Sequence, residues 1–325
     1  MADDQPETAE ESVREAVERS RRGAPAVGEV VRDRFDTGEV FQRIVAAADE
    51  EIDTGTRELF FSGLAAGFAI TLTFLALASM TAKSDGSALV GALLYPIGFV
   101  YIILGGYQLY TENTLPPVAL VLERLASVPT LLRTWVIVLV GNFAGGALGA
   151  LVLAYTGVFS PETAAVAVEL SAKGLKTPWW DLFFKAGFAG LVVAGIVWLD
   201  FAARDTISRL LLVYIAFLVI PLADLFHVVV SFTELMYLVY LGEAALLPGL
   251  TGFILPVLLG NTIGGVLLVT VVNYFQTTEH RLQTVREDGP ERQLSVPEWI
   301  GGSSVGRTYV PADRDNSRRR GDDDD

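Results

Sequence analysis

Cysteine is absent from the 325 residues, which excludes disulfides, thiolate nucleophiles and cysteine metal sites. Histidine occurs only twice, so a histidine-rich metal centre is excluded too. No paired catalytic acids, metal cluster or nucleotide-binding loop is visible, and neither enzyme activity nor a cofactor is expected. Lysine is scarce, 4 residues against 20 arginines, and charge of either sign is thin in the middle: residues 58–276 hold only 20 of the 62 charged side chains. What fills that middle is apolar, 51% of the whole chain, with a mean hydropathy of +0.44. Long apolar runs exclude a soluble enzyme, a nucleic-acid binder and an outer-membrane barrel, whose strands alternate in short segments. The composition is that of an all-α, multi-pass membrane protein.

Three regions follow. Residues 1–57 read as an acidic cytoplasmic tail with an amphipathic helix around 40–52, residues 58–276 as the membrane-spanning domain, and residues 277–325, ending RRRGDDDD, as a charged disordered cytoplasmic tail. The first twenty residues contain no apolar stretch of the kind a cleavable signal needs. A net charge of −14 with few lysines stays hydrated when salt screens charge, which points to a halophilic source.

A hydrocarbon layer roughly 30 Å thick takes about 20 helical residues. Six candidate spans fall near residues 59–82, 87–122, 131–155, 181–203, 206–247 and 250–275. The second and fifth are too long for one straight crossing, and each contains a polar interruption. Arginine sets the orientation: Arg124, Arg133, Arg204 and Arg209 lie on the side of the tails, whereas Lys83, Lys173, Lys176 and Lys185 share the other side with acids. Both termini are therefore expected in the cytoplasm of a plasma-membrane protein. Between spans three and four, Ser160-Pro161-Glu162 has the form of a helix start, with Ser160 as the cap.

The chain repeats itself. Gly141-Asn142-Phe143-Ala144-Gly145-Gly146 in span three returns as Gly260-Asn261-Thr262-Ile263-Gly264-Gly265 in span six. Phe61 followed by Ala66-Gly67 returns as Phe184 followed by Ala189-Gly190. Halves of three spans each must be inverted relative to one another, the aquaporin-like arrangement of many channels and transporters. The interruptions occupy matching places: Gln108 to Pro117, with Pro116 and Pro117, and Pro221 to His227, followed by Ser231 and Glu234. Unpaired backbone at that depth is costly unless it lines a polar cavity, so two interruptions meeting at mid-membrane predict a pore or a substrate site. Asn142 and Asn261 either bond these loops or touch substrate. Asp224 reads as a cap at its break, and Glu112 and Glu234 as possible second proton sites. Trp135, Trp179, Trp180 and Trp198 read as interfacial anchors.

These residues resemble the formate/nitrite transporter family, in a divergent branch. The likeness runs from Leu59 to Gln276. Tyr95-x-x-Gly98-Phe99 and Leu109-Tyr110-Thr111-x-Asn113 are similar to that family's F-x-x-G-L and L-F-T-x-N stretches, the run from Phe226 to Ser231 to its E-H-x-x-x-N, and Gly260 to Gly265 to its G-N-x-x-G-G. The departures are Phe226 for Glu, Ser231 for Asn, Gly190 for a frequent Asn, and Glu112 for a small residue. The resemblance implies a homopentamer of six-span protomers with broken second and fifth helices, each protomer carrying its own pore. It makes His227 the central pore histidine and Thr111 its partner. Tyr95, Phe99, Leu109, Tyr110 and Ile220 become apolar constrictions, and Lys176 the basic residue of the outer vestibule. The expected partners are small monovalent anions, protons and the lipid bilayer, with no nucleic acid. A bare anion is expelled by apolar walls, and protonation by an imidazole removes that cost. The competing readings are an aquaporin-like neutral-solute pore, for which the chain lacks Asn-Pro-Ala turns, and a membrane scaffold or sensor with a vestigial pore.

Overall fold

A computed structural model describes residues 35–276 and 293–304, and among these there is helix, turn and loop but no strand. The helices are α1 (Thr37–Asp53), α2 (Thr56–Lys83), α3 (Ala88–Ala92), α4 (Ile97–Gly105), α5 (Pro116–Leu122), α6 (Val128–Tyr155), α7 (Pro161–Lys176), α8 (Trp179–Ala202), α9 (Thr206–Leu222), α10 (Val228–Tyr240), α11 (Leu246–Gln276) and α12 (Val296–Gly301). Among the described residues, five stretches are long and apolar enough to cross a membrane: α2, α6, α8, α11 and the Ala88–Gly105 run containing α3 and α4. The helices α9 and α10 are apolar but shorter.

Local chemistry explains where these helices begin. Ser160 Oγ accepts from Thr163 N at 3.2 Å and Asp205 Oδ1 from Ser208 N at 2.9 Å, each side chain satisfying an orphan donor of the first turn. In α1 the buried side chains Val40, Ile44, Ala48 and Ile52 recur every fourth residue, which makes a single apolar stripe. Part of that stripe packs with Val118, Leu120 and Val121 of α5. The amphipathic helix expected around 40–52 thus exists and lies on α5.

Two helix pairs make closely similar contacts. A Cβ on Gly67 of α2 would lie 2.0 Å from Asn142 O of α6, and one on Gly190 of α8 would lie 2.2 Å from Asn261 O of α11. Only glycine lets the backbones approach so closely, the packing mode that suits helices in an apolar medium. The last helix is not uniform: Leu250–Ile254 and Val266–Val271 are wider turns flanking the Gly260 to Gly265 stretch.

Between α4 and α5, and between α9 and α10, the chain leaves helical geometry. The first gap begins at Gly106 (φ +67°), where Tyr107 N bonds to Ile102 O at 3.0 Å. It continues through a single tight turn, Glu112–Thr114, to Pro116 at the first position of α5. At the second gap Asp224 adopts φ +54°, and Leu225 N bonds to Ile220 O at 2.9 Å. Both are left-handed helix ends with the same closing bond. Pro221 stays inside the last turn of α9, so that gap starts two residues later than its proline. A further interruption, unanticipated from sequence, separates α3 from α4 at residues 93–96, with Pro96 preceding α4.

The C-terminal region departs from expectation. Residues 293–304, placed in a disordered tail by composition, form α12 and dock on the bundle. Trp299 Nε1 donates to Val121 O at 2.8 Å and Leu294 N to Arg124 O at 2.9 Å, while Ser127 and Thr130 hydroxyls donate to Ser303 O at 2.5 and 2.7 Å. The helix is capped reciprocally by Ser295 and Glu298. The other parts of the two tails, residues 1–34, 277–292 and 305–325, lie outside the described residues.

Candidate functional site

The two non-helical segments meet. Thr111 Oγ1, from the first, lies 2.8 Å from His227 Nε2, from the second, and both side chains are buried. The geometry follows from two asparagines at the repeated positions. Asn142 Oδ1 accepts from Tyr110 N at 2.8 Å, while its Nδ2 donates to Gln108 O at 2.9 Å and Gly63 O at 2.8 Å. Asn261 Oδ1 accepts from Val228 N at 2.8 Å, and its Nδ2 donates to Phe226 O at 3.0 Å and Ala186 O at 2.8 Å. Each amide therefore bonds the N–H of one loop residue and the C=O of the residue two earlier, and ties that loop to a neighbouring helix. Of the two roles open to Asn142 and Asn261, the geometry supports loop bonding: both are fully buried, with the whole amide spent on backbone.

Further polar bonds fix the first loop. Thr114 Oγ1 donates to Thr111 O and Thr270 Oγ1 to Thr114 O, each at 2.8 Å. Trp135 Nε1 donates to Asn113 O at 2.8 Å, so this tryptophan braces the loop rather than serving only as an interfacial anchor. Tyr110 OH is 2.8 Å from Thr262 Oγ1.

Apolar rings enclose the histidine. Phe99 meets the His227 ring edge-on at 5.0 Å and stacks on Phe217 at 3.8 Å, with Tyr95 5.7 Å from Phe99. Phe217 is absent from the sequence-based set. It sits one turn before Ile220 on α9, and that i, i+3 spacing is the signal that points to it. Leu109 and Ile220 are also buried.

On the α7 side a cavity of about 620 Å³ reaches His227, lined also by Tyr95, Ser231, Glu234, Lys173 and Lys176. Lys176 stands exposed at its rim. One turn earlier, Lys173 forms an ion pair with Asp224, a pairing that the sequence reading did not anticipate and that gives Asp224 a role besides its left-handed backbone. Phe226, in place of an acid, puts its ring 5.8 Å from that of Phe253 and 6.0 Å from Lys185 Nζ. His227 Nδ1 is buried without a hydrogen-bond partner. At the opposite end, Glu112 interacts with Glu51 of α1 and Asp200 of α8. Burial pushes the Glu51 carboxyl up to about 7, against the opposing pull of the Gln108 and Asn113 side chains.

The profile of the formate/nitrite transporter family matches residues 38–275. The inner membrane protein YfdC of Escherichia coli is 28% identical over 242 residues, covering 73% of this chain and 77% of that one. The formate channel FocA of Haemophilus influenzae is 22% identical over 252 residues, 68% of this chain and 87% of that one. Two solved structures share the fold. One is described as an FNT family ion channel (TM-score 0.64, 19% identity, 74% of this chain and 99% of that one). The other is described as a pentameric formate channel with formate bound (TM-score 0.59, 17% identity, 68% and 96%). With this match across most of its length and five helices able to cross a bilayer, the chain is a multi-pass membrane transport protein, not an enzyme, and belongs to the formate/nitrite transporter family.

Proposed function

We propose that the protein is a channel or proton-linked transporter for small monovalent anions of weak acids, formate, nitrite and acetate among them, with a pore in each protomer of a homopentamer. The pentamer is supported by the pentameric formate channel that shares this fold. In this reading α3 to α5 together make the second crossing and α9 with α10 the fifth. The six crossings form two inverted halves, and the matched bonds of Asn142 and Asn261 support that duplication. The arginines Arg124, Arg133, Arg204 and Arg209 put the α1 end and both termini in the cytoplasm, with the plasma membrane as the location. The cavity by α7 is then the outer vestibule.

The observation that carries the reading is the Thr111–His227 bond between two separate interruptions, set against the Phe99–Phe217 stack. Those rings offer no partner for a charge, so a bare anion at that depth bears its full desolvation cost. Lys176 draws the anion into the vestibule. Thr111 occupies Nε2 and holds the imidazole, leaving Nδ1 to hand a proton to the anion. The neutral acid then passes Phe99, Leu109 and Tyr110 and loses its proton in the cytoplasm.

The test is uptake of formate, nitrite and acetate into proteoliposomes across external pH, comparing the unmodified protein with His227→Ala and Thr111→Val. The expected result is uptake that rises as external pH falls, lowered at least tenfold in His227→Ala and less in Thr111→Val. Full uptake with an unchanged pH profile in His227→Ala would refute the protonation step.

A further inference from the structure

One buried carboxyl in the vestibule has no part in the pathway above. His227 immediately precedes α10, and Ser231 and Glu234 follow it at the fourth and seventh positions, one turn apart on a single face of that helix. All three line the same cavity, and they are 9%, 1% and 1% exposed. At 1.5 Å per residue, Glu234 stands about 10 Å from His227 along the helix axis, with Ser231 between them. His227 Nε2 is committed to Thr111, and Nδ1 has no partner. After each proton handed to an anion, Nδ1 must be reloaded at a depth where Phe99 and Phe217 close the way from the other end.

The charged surroundings make Glu234 the group suited to do so. Helix α7 presents Glu169, Lys173 and Lys176 to the cavity, the α9–α10 loop presents Asp224 and His227, and the α3–α4 turn presents Tyr95. The residues lining it from α2 are not titratable, α6 and α11 contribute none, and the other ionisable side chains on α10, Tyr237 and Tyr240, do not line it. Lys173 acts on both Asp224 and Glu234, but its ion pair is with Asp224. Glu169 lies on exposed α7 surface. Glu234 is thus the one carboxyl of the set that is both buried and in line with the histidine. A group with that placement can take a proton from vestibule water and pass it inward.

We propose that Glu234 is the outer proton-loading site of the pore, and that the Ser231 hydroxyl relays its proton to Nδ1 of His227. The inference rests on the weak-acid reading of the pore. In the cycle, the Glu234 carboxylate takes a proton from external water. Its O–H bond breaks as Ser231 accepts that proton and releases its own to Nδ1, directly or through cavity water. Nδ1–H then protonates the anion, and the carboxylate is ready to reload. Each turn moves one anion and one proton in the same direction.

The experiment measures formate uptake and internal acidification in proteoliposomes with external pH stepped from 5 to 8, for the unmodified protein, Glu234→Gln, Glu234→Asp and Ser231→Ala. Glu234→Gln is expected to lower uptake at least tenfold at pH 6 and to flatten its pH dependence. Glu234→Asp should restore at least a third of the uptake, and Ser231→Ala should lower it several-fold. Equal uptake and equal pH slope in Glu234→Gln overturns the proposal. So does higher uptake at every pH, which would make the carboxylate only a repeller of anions. Should Glu234→Gln fail to assemble, an unaltered slope in Ser231→Ala overturns it. An unmodified protein that carries no weak acid at any pH removes the weak-acid reading, and this inference with it. Normal wild-type uptake beside an unchanged Gln variant removes the inference alone.

Discussion

Replacing Asn261 with Ala tests the clamp that places His227. Asn261 bonds Phe226 O and Val228 N, the groups on either side of His227, and its third bond goes to Ala186 O inside α8. That third carbonyl also lies within reach of its own helical donor and loses little. The two loop groups have no such substitute. A buried backbone group left without its partner costs about 1–3 kcal/mol, so the variant should lose about 4 kcal/mol of loop stability, a factor of roughly a thousand in the clamped population. For a chain of this size that corresponds to a fall of about 6 °C in Tm. Asn261→Asp sharpens the test, because it keeps the acceptor for Val228 N but turns an acceptor toward Phe226 O and Ala186 O. It should therefore be at least as damaging as Ala. Both are read by thermal unfolding of the detergent-solubilised protein and by formate uptake, which should drop at least tenfold. A Tm within 2 °C of the unmodified protein, with uptake and pH profile intact, would refute the reasoning.

Other outcomes follow from single contacts. Gly190→Ala forces a methyl to 2.2 Å from Asn261 O, where backbone must yield; a loss of about 3 kcal/mol is expected, seen as a lower Tm. Because the Glu51 carboxyl is raised to about 7 from 4.5, the docked α1 holds a proton that the undocked helix releases earlier. Docking is therefore fully favoured below about pH 4.5, loses on the order of 3 kcal/mol as pH rises to about 7, and is level beyond. Hydrogen exchange of residues 37–53, corrected for intrinsic rates, should speed up over that interval, and Glu51→Gln should abolish the change. Trp299→Ala removes the bond to Val121 O and the ring's packing against the apolar cluster around α5, so residues 293–304 should exchange and be cleaved faster while α2 to α11 are unaffected.

Much of the candidate site was legible because its signals are local. Pro116, Pro117 and Pro221 cannot continue a helix freely, and each lies at or within two residues of the helix end observed. The Asn142 and Asn261 repeats were visible as composition, as was the His227 position by resemblance. What those side chains meet was not visible, because a glycine-rich pattern records close packing without naming the partner. Phe217, the Lys173–Asp224 pair and the bracing role of Trp135 all depend on which helix face turns inward. The break at residues 93–96 leaves little local mark, because it interrupts an apolar run with a single proline. Residues 293–304 read as part of a tail because composition reports average polarity, and Trp299 and Leu294 are two apolar anchors in a charged stretch.

The sequence by itself determined the solvent this protein lives in, the positions of its long apolar stretches and where the chain leaves helical geometry near Pro116 and Pro221, since burying some twenty apolar residues and denying a backbone donor are properties of neighbouring residues alone. Tertiary structure decided that the two departures face one another across more than a hundred residues, that each is held open by a buried amide, and that a hydroxyl and an imidazole meet between them. The physical reason is that a hydrogen bond is set within a few tenths of an ångström, and only the packing of the whole bundle fixes distances that finely.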